Sequence, residues 1–298
     1  MNEKTWTIQE LLKVASDFLQ KKGIESPRLS AEILLAHQLG MNRVEVYLNF
    51  DRPLDPSEIS GYRSLVKRRL EREPIQYITG VQEFWSLDFL VEPGVLIPRP
   101  ESELLVDKLH SLHSEGRVPG SPSPRLLDLG TGSGALAVAL AREIPGAFLV
   151  ASDVSLKALR VAGKNAKRHA VENRIHFVGG DLFRPFKVGL STFDAIVSNP
   201  PYIPHETFDS LPPEVRDHEP RLALDGGEGG MMYIRKIINE APDYLSPGGW
   251  LLVEMDPEQT REALRMIEED PRYEEVMRTT DYSHRFRVVW ASRRREDP

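Results

Sequence analysis

Residues 126–140 read LLDLGTGSGALAVAL, and this stretch decides how the rest of the chain is interpreted. An apolar run, a turn with three glycines and an alanine- and leucine-rich run follow one another directly. That order is typical of a buried strand that passes through a tight turn into a helix. Gly130, Gly132 and Gly134 allow the backbone to approach a ligand closely at the N-terminus of that helix. The stretch predicts a nucleotide-type site, although glycines needed only for the turn would give the same pattern.

Strand and helix patterns alternate on both sides of this unit. Strands are predicted at residues 125–129, 147–152, 175–178, 193–198 and 250–255, with helices near 134–143, 156–170, 230–245 and 257–269. Alternation of this kind predicts an α/β fold in which a parallel sheet is covered by helices on both faces. The segment HRFRVVWASR at 284–293 predicts a final hairpin, which would add antiparallel strands at one edge.

The first seventy residues have a different pattern, with apolar residues at helical spacing. Thr7 and Glu10 form a capping-box pair before the first predicted helix, and further helices are predicted up to Leu70. Between 74 and 98 the chain becomes rich in aromatic and β-branched residues, which indicates a β-hairpin or extended connector. We therefore expect an N-terminal helical bundle at 1–73, a connector at 74–98 and a catalytic domain at 99–298.

Composition excludes several classes of protein. The chain has 298 residues, 40% of them hydrophobic, a net charge of −7 and no cysteine. Disulfides, thiolate metal sites and catalytic thiols are therefore excluded. No apolar run is long enough to span a membrane, and the first residues are polar where a signal peptide would be apolar, so we expect a cytoplasmic protein. The acidic balance argues against direct nucleic-acid binding, and no cluster of side chains predicts a metal site.

Polar residues follow the second and third predicted strands, where an open α/β sheet binds its ligands. Asp153 could accept both hydroxyls of a ribose or cap the helix that follows it. Asp181 could accept from an adenine amino group, with Leu182 or Phe183 against the ring, or it could be an ordinary turn residue. The glycine spacing also fits the dinucleotide fingerprint. Together these strand ends predict a site for a nucleoside.

The fourth predicted strand ends in NPPYIP at 199–204. The Asn199 side-chain oxygen and the Pro200 backbone oxygen can accept both hydrogens of a planar NH2 group, while Pro200 and Pro201 lack backbone donors that would compete. Tyr202 adds a flat face for stacking. A nicotinamide enzyme would be expected to have a Tyr-Lys pair, a histidine or a hydride-acceptor pocket here, and SNPPY at 198–202 has none of these. The stretch therefore predicts an acceptor site for a trigonal nitrogen.

The segments LDLGTGSGALA, ASDVS, GDLF and FDAIVSNPPYIP, in this order, resemble the class I S-adenosylmethionine-dependent methyltransferases that methylate amino nitrogens. The flanking segments at 72–106 and 218–238, REPIQYITGVQEFWSLDFLVEPGVLIPRPESELLV and HEPRLALDGGEGGMMYIRKII, resemble the peptide-chain release factor glutamine-N5 methyltransferase family. The resemblance covers nearly the whole chain. Ser102 stands where we would expect threonine, and this change retains the hydroxyl.

The resemblance implies a Rossmann-like methyltransferase domain with a mostly parallel seven-stranded sheet. It implies that the cofactor is S-adenosylmethionine, converted to S-adenosylhomocysteine without a metal. Residues around Arg99 and Glu101 would close over the cofactor, or they could simply start a helix. The implied cofactor-binding residues are Gly130, Thr131, Gly132, Ser133, Gly134, Asp153, Asp181, Leu182 and Asn199, and the implied catalytic residues are Asn199, Pro200, Pro201 and Tyr202.

The implied reaction is methyl transfer to the side-chain amide nitrogen of glutamine in the Gly-Gly-Gln motif of a class 1 peptide chain release factor. The enzyme would be a monomer whose N-terminal helices dock the substrate, although a stabilising cap would explain those helices equally well. A ribosomal-protein glutamine methyltransferase and a DNA adenine-N6 methyltransferase share the Asn-Pro-Pro-Tyr signature and remain alternatives. A binding module without catalysis and a nicotinamide oxidoreductase are alternatives of other classes.

Overall fold

Residues 5–189 and 192–295 are described in the computed structural model of this chain. The chain divides into one unit made of Met1–Val81 with Pro212–His218 and another made of Gln82–Leu211 with Glu219–Pro298. The three domains expected from the sequence, 1–73, 74–98 and 99–298, remain predictions. Their terminal residues 1–4 and 296–298 lie outside the described part of the chain.

The first unit is helical, as its apolar spacing predicted. Capping boxes begin three of its helices, including the predicted one in which Thr7 and Glu10 bond to each other's backbone. Their apolar faces meet in one core that includes Leu12, Leu34 and Val66. The helices are α1 Ile8–Lys21, α2 Pro27–Leu39, α3 Arg43–Leu48, α4 Pro56–Leu70, α5 Ile75–Thr79 and the short α9 Pro213–Arg216.

Helix α5 corrects the sequence-based expectation of a hairpin or extended connector from residue 74 onward. Ile75 packs against the helical core and Ile78 is buried in it. Packing of this kind overrides the weak strand preference of aromatic and β-branched residues. The expected hairpin is present immediately afterwards, as β1 Val81–Phe84 and β2 Leu87–Leu90. The connector therefore combines one helical turn with a hairpin.

Within the described residues, seven strands form the sheet of the second unit in the order β5-β4-β3-β6-β7-β9-β8. The first five are parallel, and the C-terminal hairpin adds the antiparallel pair β9 and β8, as predicted. Strand order reverses between β3 and β6, which is where open α/β sheets bind ligands. The strands are β3 Arg125–Leu129, β4 Phe148–Asp153, β5 Ile175–Gly179, β6 Phe193–Ser198, β7 Leu245–Glu254, β8 Tyr273–Thr280 and β9 Phe286–Arg293.

Helices cover both faces of this sheet. Alternate residues of β3 belong to different cores: Leu126 packs in one and Leu127 in the other. Burial on both faces is typical of parallel sheets. The helices are α6 Glu103–Ser114, α7 Ala135–Glu143, α8 Leu156–Arg168, α10 Met232–Glu240 and α11 Thr260–Glu269. Short 3-10 helices lie at Pro100–Ser102, Glu172–Arg174, His205–Ser210, Arg221–Ala223, Glu228–Gly230 and Ala241–Asp243.

Two element boundaries differ from the sequence-based prediction by five residues, more than the others in this sheet and its helices. Strand β7 begins at Leu245 rather than residue 250, because the Pro-Gly-Gly segment continues the pairing with β6 through a shift in register. Helix α10 ends at Glu240, where Ala241–Asp243 tightens into a 3-10 turn that contains Pro242. Among the described helices, none has both the length and the apolarity that a membrane crossing requires.

Candidate functional site

A cavity of about 490 Å³ opens in the second unit at the carboxyl ends of the central parallel strands. It is the size of an ordinary small-molecule site. Residues that the sequence assigned to two functions, cofactor binding and the acceptor, line this one space. They are Gly130, Gly132, Asp153, Asp181, Leu182, Asn199 and Pro201. The strand order therefore joins four segments that are widely separated along the chain.

The glycine turn after β3 uses its glycines for two different purposes. Gly130 and Gly132 have φ of +82° and +56°, and a Cβ at either position would meet nothing within 4 Å. They leave open space toward the cavity. At Gly134, with φ of +83°, a Cβ would lie 2.9 Å from the Cβ of Ala162. The first two glycines therefore form a cradle, whereas the third permits helix α7 to pack on α8.

Thr131 and Ser133 lie within the turn but are buried and do not line the cavity. The Thr131 hydroxyl donates to the carboxylate of Asp128 at 2.6 Å, and the Ser133 carbonyl accepts from the Asn165 side chain at 2.8 Å. Gly134 is likewise outside the lining. These three predicted cofactor-binding residues therefore shape the turn, while its other two glycines face the open space.

Asp128 of β3 holds the glycine turn through hydrogen bonds. The sequence patterns did not identify this residue. Its Oδ2 accepts from the Thr131 hydroxyl and from the backbone N–H of Ala137 at 3.1 Å. The side chain is fully buried, and this burial raises its pKa to about 7. An acidic residue inside the apolar run LLDL was the available signal, because a buried carboxyl needs polar partners.

Asp153 at the end of β4 is held by two backbone donors. Oδ2 accepts from the N–H of Gly132 at 2.8 Å, and Oδ1 accepts from the N–H of Ser155 at 2.8 Å. Burial raises its pKa. The following helix is capped by the Ser155 hydroxyl, which accepts from the N–H of Ala158. The two roles weighed for Asp153 are therefore divided, with Ser155 capping the helix and Asp153 facing the cavity.

The segment after β5 shows which of Leu182 and Phe183 lies at the cavity. Leu182 lines the cavity with φ of +48°, a conformation that leucine rarely adopts. Phe183 is instead fully buried and stacks on Tyr244 with 4.6 Å between ring centroids. Of the two apolar side chains considered for a ligand ring, Leu182 is therefore the one at the cavity. Asp181 also lines it, and its carboxylate pairs with exposed Arg184 at 3.3 Å.

The Asn-Pro-Pro-Tyr turn follows β6. Asn199 donates through Nδ2 to the Ser102 hydroxyl at 2.7 Å. Among the described residues, no donor hydrogen-bonds to the Asn199 Oδ1 or to the carbonyl of Pro200. Pro200 itself is buried, and Pro201 lines the cavity. The two oxygens predicted to accept from an NH2 group are thus not used by this part of the protein.

Tyr202 lies outside the cavity lining and packs against the core beside β7. Its hydroxyl donates to Oε1 of Glu254 at 3.3 Å, and its backbone carbonyl accepts from the side chain of Gln259 at 2.7 Å. Burial and the nearby Glu254 raise the pKa of its phenol. Tyr202 is therefore anchored at both ends, which holds the turn in one position.

A glycine-rich loop wraps the same turn. A Cβ at Gly226 would lie 2.8 Å from the Pro201 carbonyl oxygen, and one at Gly230 would lie 2.0 Å from that of Tyr202. Only glycine permits such close backbone approach. The sequence pattern DGGEGG was part of the family resemblance, but nothing in it indicated which backbone these glycines would approach.

The stretch around Arg99 contributes to the cavity mainly through residues before it. Gly94, Val95 and Leu96 line the cavity, whereas Arg99 and Glu101 do not. Arg99 donates to Oε1 of Glu219 at 2.5 Å, and Glu219 is buried. The pair ties this stretch to Glu219, and its neighbour Pro220 also lines the cavity.

The arrangement is rich in hydrogen-bond acceptors and has two distinct zones. Carboxylates at Asp153 and Asp181 suit hydroxyl and amino donors, and the oxygens at Asn199 and Pro200 suit a planar NH2 group. In the described part of the chain, no group of three or more histidine, aspartate or glutamate side chains is arranged to hold a metal ion. The geometry supports two organic ligands placed side by side.

Comparison with known proteins identifies similar chains. Two family descriptions match: "PrmC N-terminal domain" over residues 10–80 and "Methyltransferase small domain" over residues 100–211. A release factor glutamine methyltransferase of Geobacter sulfurreducens is 47% identical over 269 residues, which are 90% of this chain and 91% of the relative. One of Rhodopirellula baltica is 39% identical over 289 residues, 97% of each chain.

The fold also has solved counterparts. The crystal structure of a methyltransferase from Pyrococcus furiosus superposes with a TM-score of 0.51 at 20% identity. The match covers 71% of this chain and 91% of that one. At this identity the likeness concerns the fold, and it agrees with the predicted class I architecture.

Proposed function

This chain belongs to the release factor glutamine methyltransferase family, and we propose that it methylates the glutamine of the Gly-Gly-Gln motif in a class 1 release factor. It is a methyltransferase of the S-adenosylmethionine-dependent type. The observation that carries the proposal is the shared cavity: Asn199, with an unused acceptor oxygen, lines the same space as the glycine cradle and Asp153.

The residues present fit the proposed cofactor. Gly130 and Gly132 leave open space that a Cβ would fill, which suits a ligand in contact with the backbone. We assign Asp153 to the ribose hydroxyls and Asp181 with Leu182 to the adenine. S-adenosylmethionine supplies a methyl group on a sulfonium sulfur and leaves as S-adenosylhomocysteine. Thr131, Ser133 and Gly134 support this cradle from within the protein.

The acceptor amide presents a chemical problem, because its nitrogen lone pair is shared with the carbonyl. Asn199 Oδ1 and the Pro200 carbonyl would accept its two hydrogens, which orients the nitrogen and raises its electron density. Pro201 and Tyr202 hold this turn and help to exclude water. No strong base is required, because the nitrogen becomes acidic once it carries the methyl group and then releases one of its two hydrogens to solvent as a proton.

The finer details of this function are also proposals. The N-terminal helices would dock the release factor, and the enzyme would work as a cytoplasmic monomer without direct nucleic-acid binding. A net charge of −7 supports the last point, since proteins that grip a phosphate backbone need clustered positive charge. The family relationship supports the release factor as substrate.

The decisive experiment offers three acceptors with methyl-labelled S-adenosylmethionine: a class 1 release factor, ribosomal proteins and duplex DNA. Mass spectrometry should place one methyl group on the glutamine of the Gly-Gly-Gln motif. A release factor with that glutamine changed to glutamate is the matched control and should remain unlabelled. Label on ribosomal protein or DNA, with none on the release factor, would overturn the proposed substrate.

Calorimetry tests the cofactor separately. S-adenosylhomocysteine should bind, and NAD should not. Tight binding of NAD with no response to S-adenosylhomocysteine would show that the cavity serves a different cofactor.

A further inference from the structure

The shape of the Asn199 side-chain amide does not decide which way its oxygen and its nitrogen point. The oxygen and nitrogen of an asparagine amide occupy nearly equivalent positions, so hydrogen-bond partners decide which atom faces which way. In this structure the NH2 group of Asn199 donates to the Ser102 hydroxyl at 2.7 Å. This bond directs the NH2 group toward Ser102 and leaves the oxygen for another partner.

Ser102 can play this part only if its own hydrogen points elsewhere. A hydroxyl that accepts from Asn199 has one hydrogen to donate. The Glu254 carboxyl lies near enough for Ser102 to lower its pKa, although no formed hydrogen bond joins the two side chains in this structure. Glu254 is fully buried, and its Oε2 has no hydrogen-bond partner of good geometry among the described residues. Oε2 of Glu254 is therefore available to accept the hydrogen of the Ser102 hydroxyl.

The sheet places Glu254 beside the Asn-Pro-Pro-Tyr turn. Ser198 at the end of β6 pairs with Val253 of β7, so the next residues along, Asn199 and Glu254, lie at the same level. The other carboxyl oxygen of Glu254 accepts from the Tyr202 hydroxyl at 3.3 Å. One buried carboxyl therefore bonds to Tyr202 at the end of the turn and lies level with Asn199 at its start.

We infer that Glu254 is a positioning residue which, through Ser102, keeps the amide oxygen of Asn199 directed toward the acceptor substrate. The inference rests on the proposed function, because it concerns the amide that the substrate glutamine would meet. Glutamine at position 254 has one acceptor oxygen where the carboxylate has two. When Tyr202 keeps that oxygen, the NH2 group of the glutamine faces Ser102, and the Ser102 hydrogen turns to the oxygen of Asn199 instead. The Asn199 amide then reverses and presents its NH2 group to the NH2 group of the substrate, and two donors cannot bond to each other.

The charge on Glu254 matters for the same reason. A carboxylate accepts with both oxygens, whereas the protonated acid donates from one of them. Burial raises the pKa of Glu254 and the nearby Glu101 raises it further, while Ser102, Tyr202 and Arg287 lower it, and the result is about 7. Glu101, Tyr202 and Arg287 are the charged or titratable groups among these causes. The positioning should improve as pH rises through about 7.

The test compares kcat, under saturating cofactor, for Glu254→Gln, Ser102→Ala, Ser102→Thr and the pair Glu254→Gln/Ser102→Ala. Each of the first two should lower kcat by about 10- to 100-fold, the range expected when an acceptor group is misplaced. Ser102→Thr keeps the hydroxyl and should recover most of the activity that Ser102→Ala loses. The double variant should be no slower than the slower single variant, because both changes break one chain of hydrogen bonds.

Three readouts separate positioning from a structural role. Calorimetry with S-adenosylhomocysteine should give nearly the same affinity for every variant. Adding Glu254→Gln to Asn199→Ala should cause no further loss in single-turnover methyl transfer. The rise of wild-type kcat through about pH 7 should be absent in Glu254→Gln. Glu258→Gln, which changes an exposed glutamate four residues away, is the matched control and should resemble the wild type.

Each opposite result overturns the inference. Losses that multiply in the double variant, or that add to the loss from Asn199→Ala, would show that Glu254 acts by another route. Equal losses in cofactor affinity and transfer would show a structural role, and an unchanged pH profile in Glu254→Gln would remove the charge argument. Failure of the proposed function looks different, because the wild-type enzyme itself would then leave the release factor unmethylated.

Discussion

The glycine turn after β3 and the Asn-Pro-Pro-Tyr turn after β6 lie on either side of the switch in strand order and face one cavity. They are held in different ways. The glycine turn is set by positive φ angles and by Asp128 and Asp153, which precede it on β3 or end the neighbouring strand. The Asn-Pro-Pro-Tyr turn, which we call the acceptor turn, is held by side chains that are distant in sequence, Ser102, Glu254 and Gln259.

The difference shows how the two halves of the site depend on the rest of the protein. A turn held by its own backbone and by carboxylates of its own and the neighbouring strand keeps its shape as long as the sheet forms. A turn held by distant side chains changes whenever one of those partners moves. Substitutions should therefore separate the two turns: some lower cofactor affinity, and others lower methyl transfer while the cofactor still binds.

The largest effect is expected from Asn199→Ala. Removal of the acceptor oxygen should lower kcat by roughly 100-fold or more, as loss of one preorganised polar group does in other enzymes. The glycine turn is untouched, so the affinity for S-adenosylhomocysteine should change little. Kinetics with release factor and calorimetry measure the two quantities. The exposed Asn173→Ala is the control, and an equal loss of affinity and rate in Asn199→Ala would mean that Asn199 mainly holds the cofactor.

Two glycine substitutions should have opposite consequences. Gly230→Ala places a Cβ 2.0 Å from the Tyr202 carbonyl oxygen, so the acceptor turn must shift. We expect kcat to fall by about 10- to 100-fold with cofactor affinity nearly kept. Gly132→Ala adds its Cβ to the open side of the cradle and should mainly lower cofactor affinity.

Gly229→Ala provides the matched control for these two variants. Gly229 also has a positive φ, of +60°, but a Cβ there would meet nothing within 4 Å. It should show the strain of the left-handed conformation, about 1 to 2 kcal/mol of stability, without a specific loss of rate or affinity. The comparison between the turns fails if Gly132→Ala and Gly230→Ala affect rate and affinity in the same proportion.

Each turn is supported by one buried carboxyl, Asp128 of β3 or Glu254 of β7, whose pKa burial raises to about 7 from ordinary values of 3.8 and 4.5. Between about pH 4 and pH 7 the native state therefore holds protons that the unfolded chain releases, so stability falls as pH rises through that window. Each carboxyl should contribute about 3 to 4 kcal/mol of this fall.

Urea unfolding at several pH values measures this dependence. Asp128→Asn and Glu254→Gln cannot release a proton, so each should flatten the curve by its own share. If both variants keep the wild-type slope, the two carboxyls are already ionised at neutral pH and the electrostatic account of the turns is wrong.

Tyr202→Phe should have the smallest effect. The hydroxyl bond to Glu254 is long, at 3.3 Å, while the Tyr202 backbone stays bound to Gln259 and the ring stays packed. We expect kcat to fall by about two- to fivefold, in line with the net worth of one weak hydrogen bond. Steady-state kinetics would detect this. A loss as large as that of Asn199→Ala would instead give the hydroxyl a direct part in the reaction.

Much of the fold followed from local patterns. Apolar runs such as 193–198 matched their strands, because a strand buried on both faces needs a continuous apolar sequence. Helix α5 and the early start of β7 did not follow, since packing of Ile78 and sheet pairing of a Pro-Gly-Gly segment outweighed local preference. In the site, the motif residues at the strand ends could be named in advance, but Glu254 and Gln259 could not.

The sequence by itself determined the two turns and their order along the chain, and it predicted that oxygens of Asn199 and Pro200 accept from an NH2 group. Glycine conformations and the absent N–H of proline act within a few residues, so they can be read without a structure. Only the tertiary structure decided that Ser102 faces Asn199, that Gly230 approaches Tyr202, and that Phe183 is buried while Leu182 lines the cavity. Those contacts join residues far apart in the chain, and which of them meet depends on how the whole sheet and its helices pack.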